Sequence, residues 1–270
     1  MQREMKKRQA GFTLIEIMLF LAITGLLFLI GFFGTGTQIR SVRFNDSMRG
    51  LHSYLQKQYG LVSTGSNPRQ VNTTCTSSGG LGTPPTFGTG STTPGDTAGD
   101  AGDCVLLGRL MKFEPGTANL TSYYVVGRRL DITQLTGDDM TDLANSGPTL
   151  SPQANDSYQV NWGTTFYQPS SGALSSQTQA FAYLRSPSTG KIITFAFSGS
   201  AVGNGTIPGS DTSFRSAITT ANIAKRAGYC FKDDNGRNAI FKLGYDQRTD
   251  ALDLVFKNFD PANDCVRSKP

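Results

Sequence analysis

Hydrophobic and polar positions divide the chain into four stretches of different rhythm. Residues 1–11 are polar and basic. An apolar run then extends from Phe12 to Gly34, 23 residues with Glu16 as the one acid, and Ile17 to Phe33 carries no charge. From Thr37 to Val62 the chain turns polar but keeps a stripe. Phe44, Met48, Leu51, Leu55, Tyr59 and Val62 recur at steps of three and four, one face of an amphipathic helix. Arg40, Arg43, Arg49, Gln56 and Lys57 fall largely off that face. No proline precedes Pro68, so residues 12–62 read as one helix of about 75 Å at 1.5 Å per residue.

Residues 63–103 break the rhythm. Ser, Thr, Gly, Pro and Asn dominate, and apolar periodicity vanishes. Such a composition buries too little surface to offset the entropy of ordering, and predicts an exposed loop. Asp96, Asp100 and Asp103 supply hard oxygens but match no calcium-loop spacing. From Cys104 onward strands are predicted at 104–113, 122–130, 158–167, 180–184, 191–197, 227–232, 239–243 and 252–256. Asn235-Gly236, within Asp233–Arg237, is a hairpin signal rather than a calcium site. Residues 104–270 are enough for a core of their own. The fold class is α+β: a long N-terminal helix packed on a mostly antiparallel β-sheet head. The size of the head leaves room for a second small sheet, or an inserted subdomain around 131–190.

Charge decides what the apolar run is for. A membrane span needs about 20 mostly apolar residues, and positive flanks stay in the cytoplasm. Arg3, Lys6, Lys7 and Arg8 against Glu4 make the leader +3 of the chain's +5, leaving +2 beyond Gly11. The pI near 9 is thus largely a leader property, and weak evidence for nucleic-acid binding by the rest. A secretory signal has a shorter apolar core followed by a small-residue cleavage site, and no such site follows here. A plain signal anchor explains the length but neither Glu16 nor the Gly11-Phe12 junction.

Gly11-Phe12-Thr13-Leu14-Ile15-Glu16, behind Lys6-Lys7-Arg8, closely resembles the class III signal of type IV prepilins and related filament subunits. The direct match covers about the first 35 residues. The resemblance implies cleavage by a prepilin peptidase between Gly11 and Phe12, with N-methylation of Phe12. It implies a removed leader (1–11), a membrane or filament-core segment (12–34) within the long helix, and a head exported to the outside. It also implies partners: other pilin subunits, the prepilin peptidase, an inner-membrane platform protein and an assembly ATPase. Glu16 is costly in lipid without a partner. The resemblance assigns it to the amine of a neighbouring Phe12, where a buried ion pair fixes register. Resembled pilins often unwind part of this helix in the filament, and the glycines of Gly31–Gly36 lower helix propensity there.

The four cysteines, Cys75, Cys104, Cys230 and Cys265, all lie in the exported part, where an even count reads as disulfides. Three pairings exist. The favoured one joins Cys75 to Cys104, tethering the loop, and Cys230 to Cys265, where the resemblance places a C-terminal disulfide. Zinc is disfavoured, with no C-x-x-C pair and His52 as the single histidine. That histidine has no partnered nucleophile in view, so neither a catalytic site nor a cofactor is expected. The reading is a structural subunit of a type IV pilus or related filament. Its head would serve adhesion, motility or DNA uptake. Two rivals stand beside it: a minor pilin or type II secretion pseudopilin, and a membrane-anchored surface binding protein that never polymerises.

Overall fold

The computed structural model describes residues 13–65, 73–77, 79–89, 104–113, 117–151, 156–167, 179–198, 212–220, 223–224, 227–244 and 252–256, the side chains of 31–37, 73–74, 88–89, 179, 198, 212–213 and 227 excepted. The chain divides into one unit ending at Arg43 and another beginning at Phe44. The division falls inside α1 (Leu14–Ser63), a 50-residue α-helix. Within the first unit α1 stays helical through Gly31–Gly36 in the single chain.

In the second unit α1 is followed by β1 (Thr73–Thr76), β2 (Thr86–Thr89), β3 (Cys104–Phe113) and β4 (Asn119–Arg128). Next come α2 (Asp139–Asn145), β5 (Thr149–Leu150), β6 (Asp156–Gln159), β7 (Thr165–Tyr167), β8 (Gln179–Arg185) and β9 (Ile192–Ser198). The described elements end with α3 (Thr212–Ala217), β10 (Ala227–Lys232), β11 (Asn238–Leu243) and β12 (Leu252–Val255). One sheet runs β5-β4-β3-β8-β9, with β6 also on β4; a second runs β12-β11-β10-β7; β1 and β2 form a third. Among the described strands the pairings are antiparallel throughout, so the chain is of the α+β class expected.

Strand alternation explains the layers. On β3, Met111 and Phe113 enter the core that holds the α1 stripe, while Leu110 enters the opposite one. On β8, Phe181 and Tyr183 take the first side, and Ala180, Ala182 and Leu184 the second. Phe44, Met48, Leu51, Leu55 and Val62 of α1 are all buried, with Tyr59 packed at their edge. The four-stranded sheet closes the same core. Phe113 lies 5.1 Å from Phe166, 5.3 Å from Tyr229 and 5.6 Å from Phe231, ring centroid to centroid. Tyr229 donates to the Ala180 carbonyl at 2.9 Å, joining the two sheets. On the far side, Leu143 of α2 and Phe214 of α3 pack with Leu110, Phe195 and Phe197.

Two elements differ from the sequence reading. Residues 158–167, expected as one strand, split into the end of β6 and β7, which belong to different sheets. The break is at Trp162 and Gly163, with φ of 63° and 69°. The turn is held by Ser47, whose hydroxyl donates to the Asn161 carbonyl at 3.0 Å. A Cβ at residue 163 would stand 2.7 Å from an Asp234 carboxylate oxygen. Only glycine suits both that space and that backbone.

The stretch expected as a loop contains the β1–β2 hairpin. It is held by polar means, which a search for apolar periodicity does not detect. Gly82 N–H donates to the Asn145 carbonyl at 2.7 Å, and Arg215 donates to the Gly82 carbonyl at 3.1 Å. Arg128 donates to the Gly79 carbonyl. Cys75 and Cys104 are joined in a disulfide across 29 residues. Asp96, Asp100 and Asp103 lie outside the described residues. Loop-closure entropy over that separation predicts a loss of about 3–4 kcal/mol when both cysteines become serine. Denaturant unfolding of the double variant beside the parent checks it. An unchanged midpoint would mean that the hairpin contributes nothing to the cooperative unit.

The Asp233–Arg237 segment is a turn, as expected. The Asp233 carboxylate accepts the N–H groups of Asn235 at 2.9 Å and Arg237 at 2.8 Å, the local bonding expected of an Asx turn.

α2 is stapled by a buried acid. Burial of Asp142 acts to raise its carboxyl pKa. It is outweighed by the backbone N–H and hydroxyl of Thr136, with Ser188 and the Gly137 N–H also donating, and the group stays below its ordinary value. The Thr136 bonds are both 2.8 Å. A depressed folded-state pKa stabilises the fold above the unfolded carboxyl's value, near about 3.9, and the benefit fades as pH falls through the folded value. Asp142→Asn should therefore lower the melting temperature near neutrality and flatten its decline below about pH 4. Parallel curves for parent and variant from pH 6 to pH 2 would refute the assignment.

Candidate functional site

The first turn of α1 is built from a four-residue device. Thr13 precedes the helix, and Glu16 is its third residue. One Glu16 carboxylate oxygen, Oε2, accepts both the backbone N–H and the hydroxyl of Thr13 at 3.2 Å. Glu16 N–H approaches the Thr13 hydroxyl at 3.4 Å and the Thr13 carbonyl at 3.1 Å. This is a T-x-x-E capping box. The carboxylate also sits at the positive end of the helix dipole, where an acid is favoured. Oε1, the second oxygen, accepts no hydrogen bond among the described residues. The pattern is legible in the sequence as Thr13-Leu14-Ile15-Glu16, a T-x-x-E spacing ahead of an apolar run.

On either side of Glu16, from Leu14 to Ile30, the helix exposes apolar residues all round. Leu14, Ile15, Ile17, Phe20, Phe28 and Ile30 are each at least half exposed, as are their large apolar neighbours. A helix with no polar face is stable only when something apolar surrounds it. Among the described residues no helix is long and apolar enough to cross a membrane. The run with described side chains ends at Ile30, short of the about 20 residues a span requires. Gly11 and Phe12, the expected processing residues, lie outside the described residues.

The cysteines fall as follows. Cys75 is bonded to Cys104. Cys230 is also disulfide-bonded, and Cys265 lies outside the described residues. His52 stacks on Phe241 at 6.1 Å, as a packing residue would. Among the described residues no cluster of His, Cys, Asp and Glu is arranged to hold a metal.

A polar relay that sequence reasoning missed anchors α1 in the head. Gln58, fully buried, lies on the apolar stripe between Leu55 and Val62. Its amide oxygen accepts from Arg109 of β3, and its Nε2 donates to the Asp156 carboxylate at 3.2 Å. Arg109, 3 % exposed, also donates to the Tyr124 hydroxyl at 2.9 Å and lies 4.5 Å over that ring's centroid. Gln58 thus passes a hydrogen bond from a buried cation to an anion. Burial, with the Asp156 charge beside it, pushes the Tyr54 phenol well above its usual range. The signal available was a glutamine at a stripe position. The charged partners are too distant in sequence for any local pattern to show.

Comparison with known proteins places one segment. Residues 6–32 match the prokaryotic N-terminal methylation motif, the class III signal of type IV pilins. Fold and motif together define an α+β protein whose exposed apolar helix begins inside that signal. The match supports a protein of the type IV pilin or pseudopilin kind. No curated protein and no solved structure matches the chain.

Proposed function

We propose that this chain is a structural subunit of a type IV pilus or related filament. A prepilin peptidase cuts after Gly11, and Phe12 becomes the methylated N-terminus. Residues 12–34 hold the subunit in the cytoplasmic membrane until an ATPase and a platform protein extract it into the fibre. There the apolar half of α1 packs against its counterparts, and the β-rich head faces outward. The observation that carries this reading is an apolar surface exposed on every side from Leu14 to Ile30, beginning inside a segment that matches the methylation motif. Glu16 sets register: Oε2 caps its own helix while Oε1 is open to the amine of the neighbouring Phe12. Cys230 pairs with Cys265 and ties down the C-terminal tail. No catalytic role is assigned. The size of the head, with three sheets among the described residues, favours a minor subunit or pseudopilin over a repeating one, since bulky heads pack less easily along a fibre.

Mass spectrometry of filaments sheared from expressing cells, with the membrane fraction beside them, tests the reading. A dominant species starting at methylated Phe12, four hydrogens lighter for two disulfides, identifies a major subunit. A trace of the processed form among other pilins identifies a minor one. Uncleaved protein confined to the membrane overturns the proposal and leaves a non-polymerising anchored binding protein.

A further inference from the structure

At the end of the large sheet where β3 begins and β4 and β8 end, the chain encloses a cleft of about 430 Å³. Its apolar wall comes from Val105, Leu106 and Leu107 of β3, with Leu130 and Pro187. Its cationic wall is Arg129 and Arg185, and its rim is the turn Ser186–Gly190. No acidic side chain is among the described residues lining it.

Arg185 lies against two glycines. A Cβ at Gly190 would stand 3.4 Å from its Nε and Nη2, and a Cβ at Gly65 would stand 2.7 Å from its Nη1. Both glycines have positive φ, 71° and 64°. A side chain at Gly65 would displace the guanidinium end, whereas one at Gly190 would only touch it. It is half-buried, yet makes no ion pair or hydrogen bond among the described residues. A partly desolvated cation is stabilised by an anion, and the guanidinium fork is shaped to take two oxygens of one oxyanion.

The rim is fixed. Gly190 N–H donates to the Ser186 carbonyl at 3.0 Å, Ser186 N–H to the Lys191 carbonyl at 2.8 Å, and Thr189 Oγ1 to Asp139 of α2 at 2.6 Å. The volume falls in the small-molecule range of about 300–1,000 Å³. It suits one ring rather than the row of phosphates along a nucleic acid. Ser186 Oγ and Ser188 Oγ bond each other at 3.0 Å and Thr189 Oγ1 donates to Asp139, so the rim meets a ligand's hydroxyls as an acceptor; charged fork, accepting rim and apolar wall together match a sugar ring bearing one negative group.

We propose that this cleft binds an acidic sugar, its carboxylate or phosphate held by Arg185, its ring against Leu130 and Pro187, and its hydroxyls along the Ser186–Gly190 turn. The proposal does not depend on filament assembly. The test titrates the purified full chain in detergent with glucuronic acid, glucose 6-phosphate, glucose and inorganic phosphate, read by calorimetry and by the amide resonances of Thr189 and Gly190. Saturable binding of either acidic sugar, with shifts at those amides and none for glucose, is expected. Whichever acid binds more tightly identifies the charged group. Arg185→Gln should weaken binding at least about tenfold without moving the thermal midpoint, and Arg185→Lys should recover only part, since an ammonium keeps the charge but not the fork. No binding of either acid, equal binding of glucose, or inorganic phosphate binding as tightly as glucose 6-phosphate overturns it. So does undiminished binding by a folded Arg185→Gln variant. Should that variant not fold, the comparison of acidic and neutral sugars on the parent protein decides.

Discussion

Glu16→Ala should leave cleavage after Gly11 intact and abolish surface filaments. Removing one partner of a buried ion pair costs about 3–5 kcal/mol, which is a factor of at least about a hundred in association. The alanine also removes the Glu16 half of the capping box, leaving Thr13 N–H without its acceptor. The capping box makes the two contributions separable. Glu16→Gln keeps an acceptor for both Thr13 donors, because glutamine serves in such a box, but carries no charge for a neighbour's amine. Thr13→Ala does the reverse: it removes the hydroxyl and keeps the carboxylate. If register is electrostatic, Glu16→Gln should assemble as poorly as Glu16→Ala, while Thr13→Ala retains most filaments. Quantifying sheared filaments against total processed subunit reads the outcome. Full assembly by Glu16→Gln would show that Glu16 serves its own helix alone, and would remove the intermolecular pair from the mechanism.

Arg109→Ala should be among the most damaging substitutions in the head. It strands the Gln58 amide oxygen and the Tyr124 hydroxyl, and leaves Asp156 facing Gln58 with no cation behind it. Breaking a buried charged network costs about 3–5 kcal/mol, or roughly 10 °C in melting temperature for a chain of this size. Gln58→Leu alone should also destabilise, because it leaves Arg109 and Asp156 without the group that joins them. In Arg109→Met combined with Gln58→Leu, two apolar side chains of similar bulk meet between Leu55 and the β3 surface. The pair should be less destabilised than the sum of the singles by about 1–3 kcal/mol, the coupling expected of residues in contact. Denaturant unfolding of the parent, Arg109→Met, Gln58→Leu and the double variant closes the cycle. Additive losses would show that Gln58 and Arg109 act independently.

Much of the fold was legible locally. The α1 stripe was visible because six apolar residues at steps of three and four can share only one helical face; five of them are buried and Tyr59 packs at their edge. Most strands of the head were visible from β-branched and aromatic runs bounded by turn residues, and the Asp233–Arg237 turn from its Asn-Gly pair. The β1–β2 hairpin was not, since its strands are threonine-rich and its loop is tied by backbone groups and a disulfide. Nor was the split of 158–167, since Trp162 is a strand former that the tertiary structure holds in a left-handed turn.

The N-terminal signal is written in contiguous residues. A basic leader, Gly11-Phe12, a capping acid and an uninterrupted apolar run need no tertiary context, because each acts through the chain next to it or through the medium around it. The sequence alone therefore determined the signal, the long helix and the class of the fold. The tertiary structure decided the rest. It brought Gln58 to Arg109 across 51 residues and set Arg129 and Arg185 into one cleft. It also placed the Ser186–Gly190 turn on α2 through Thr189 and Asp139. Those groups share no local pattern. Their charges and donors acquire meaning only when antiparallel pairing brings the ends of β3, β4 and β8 together and removes the water between them.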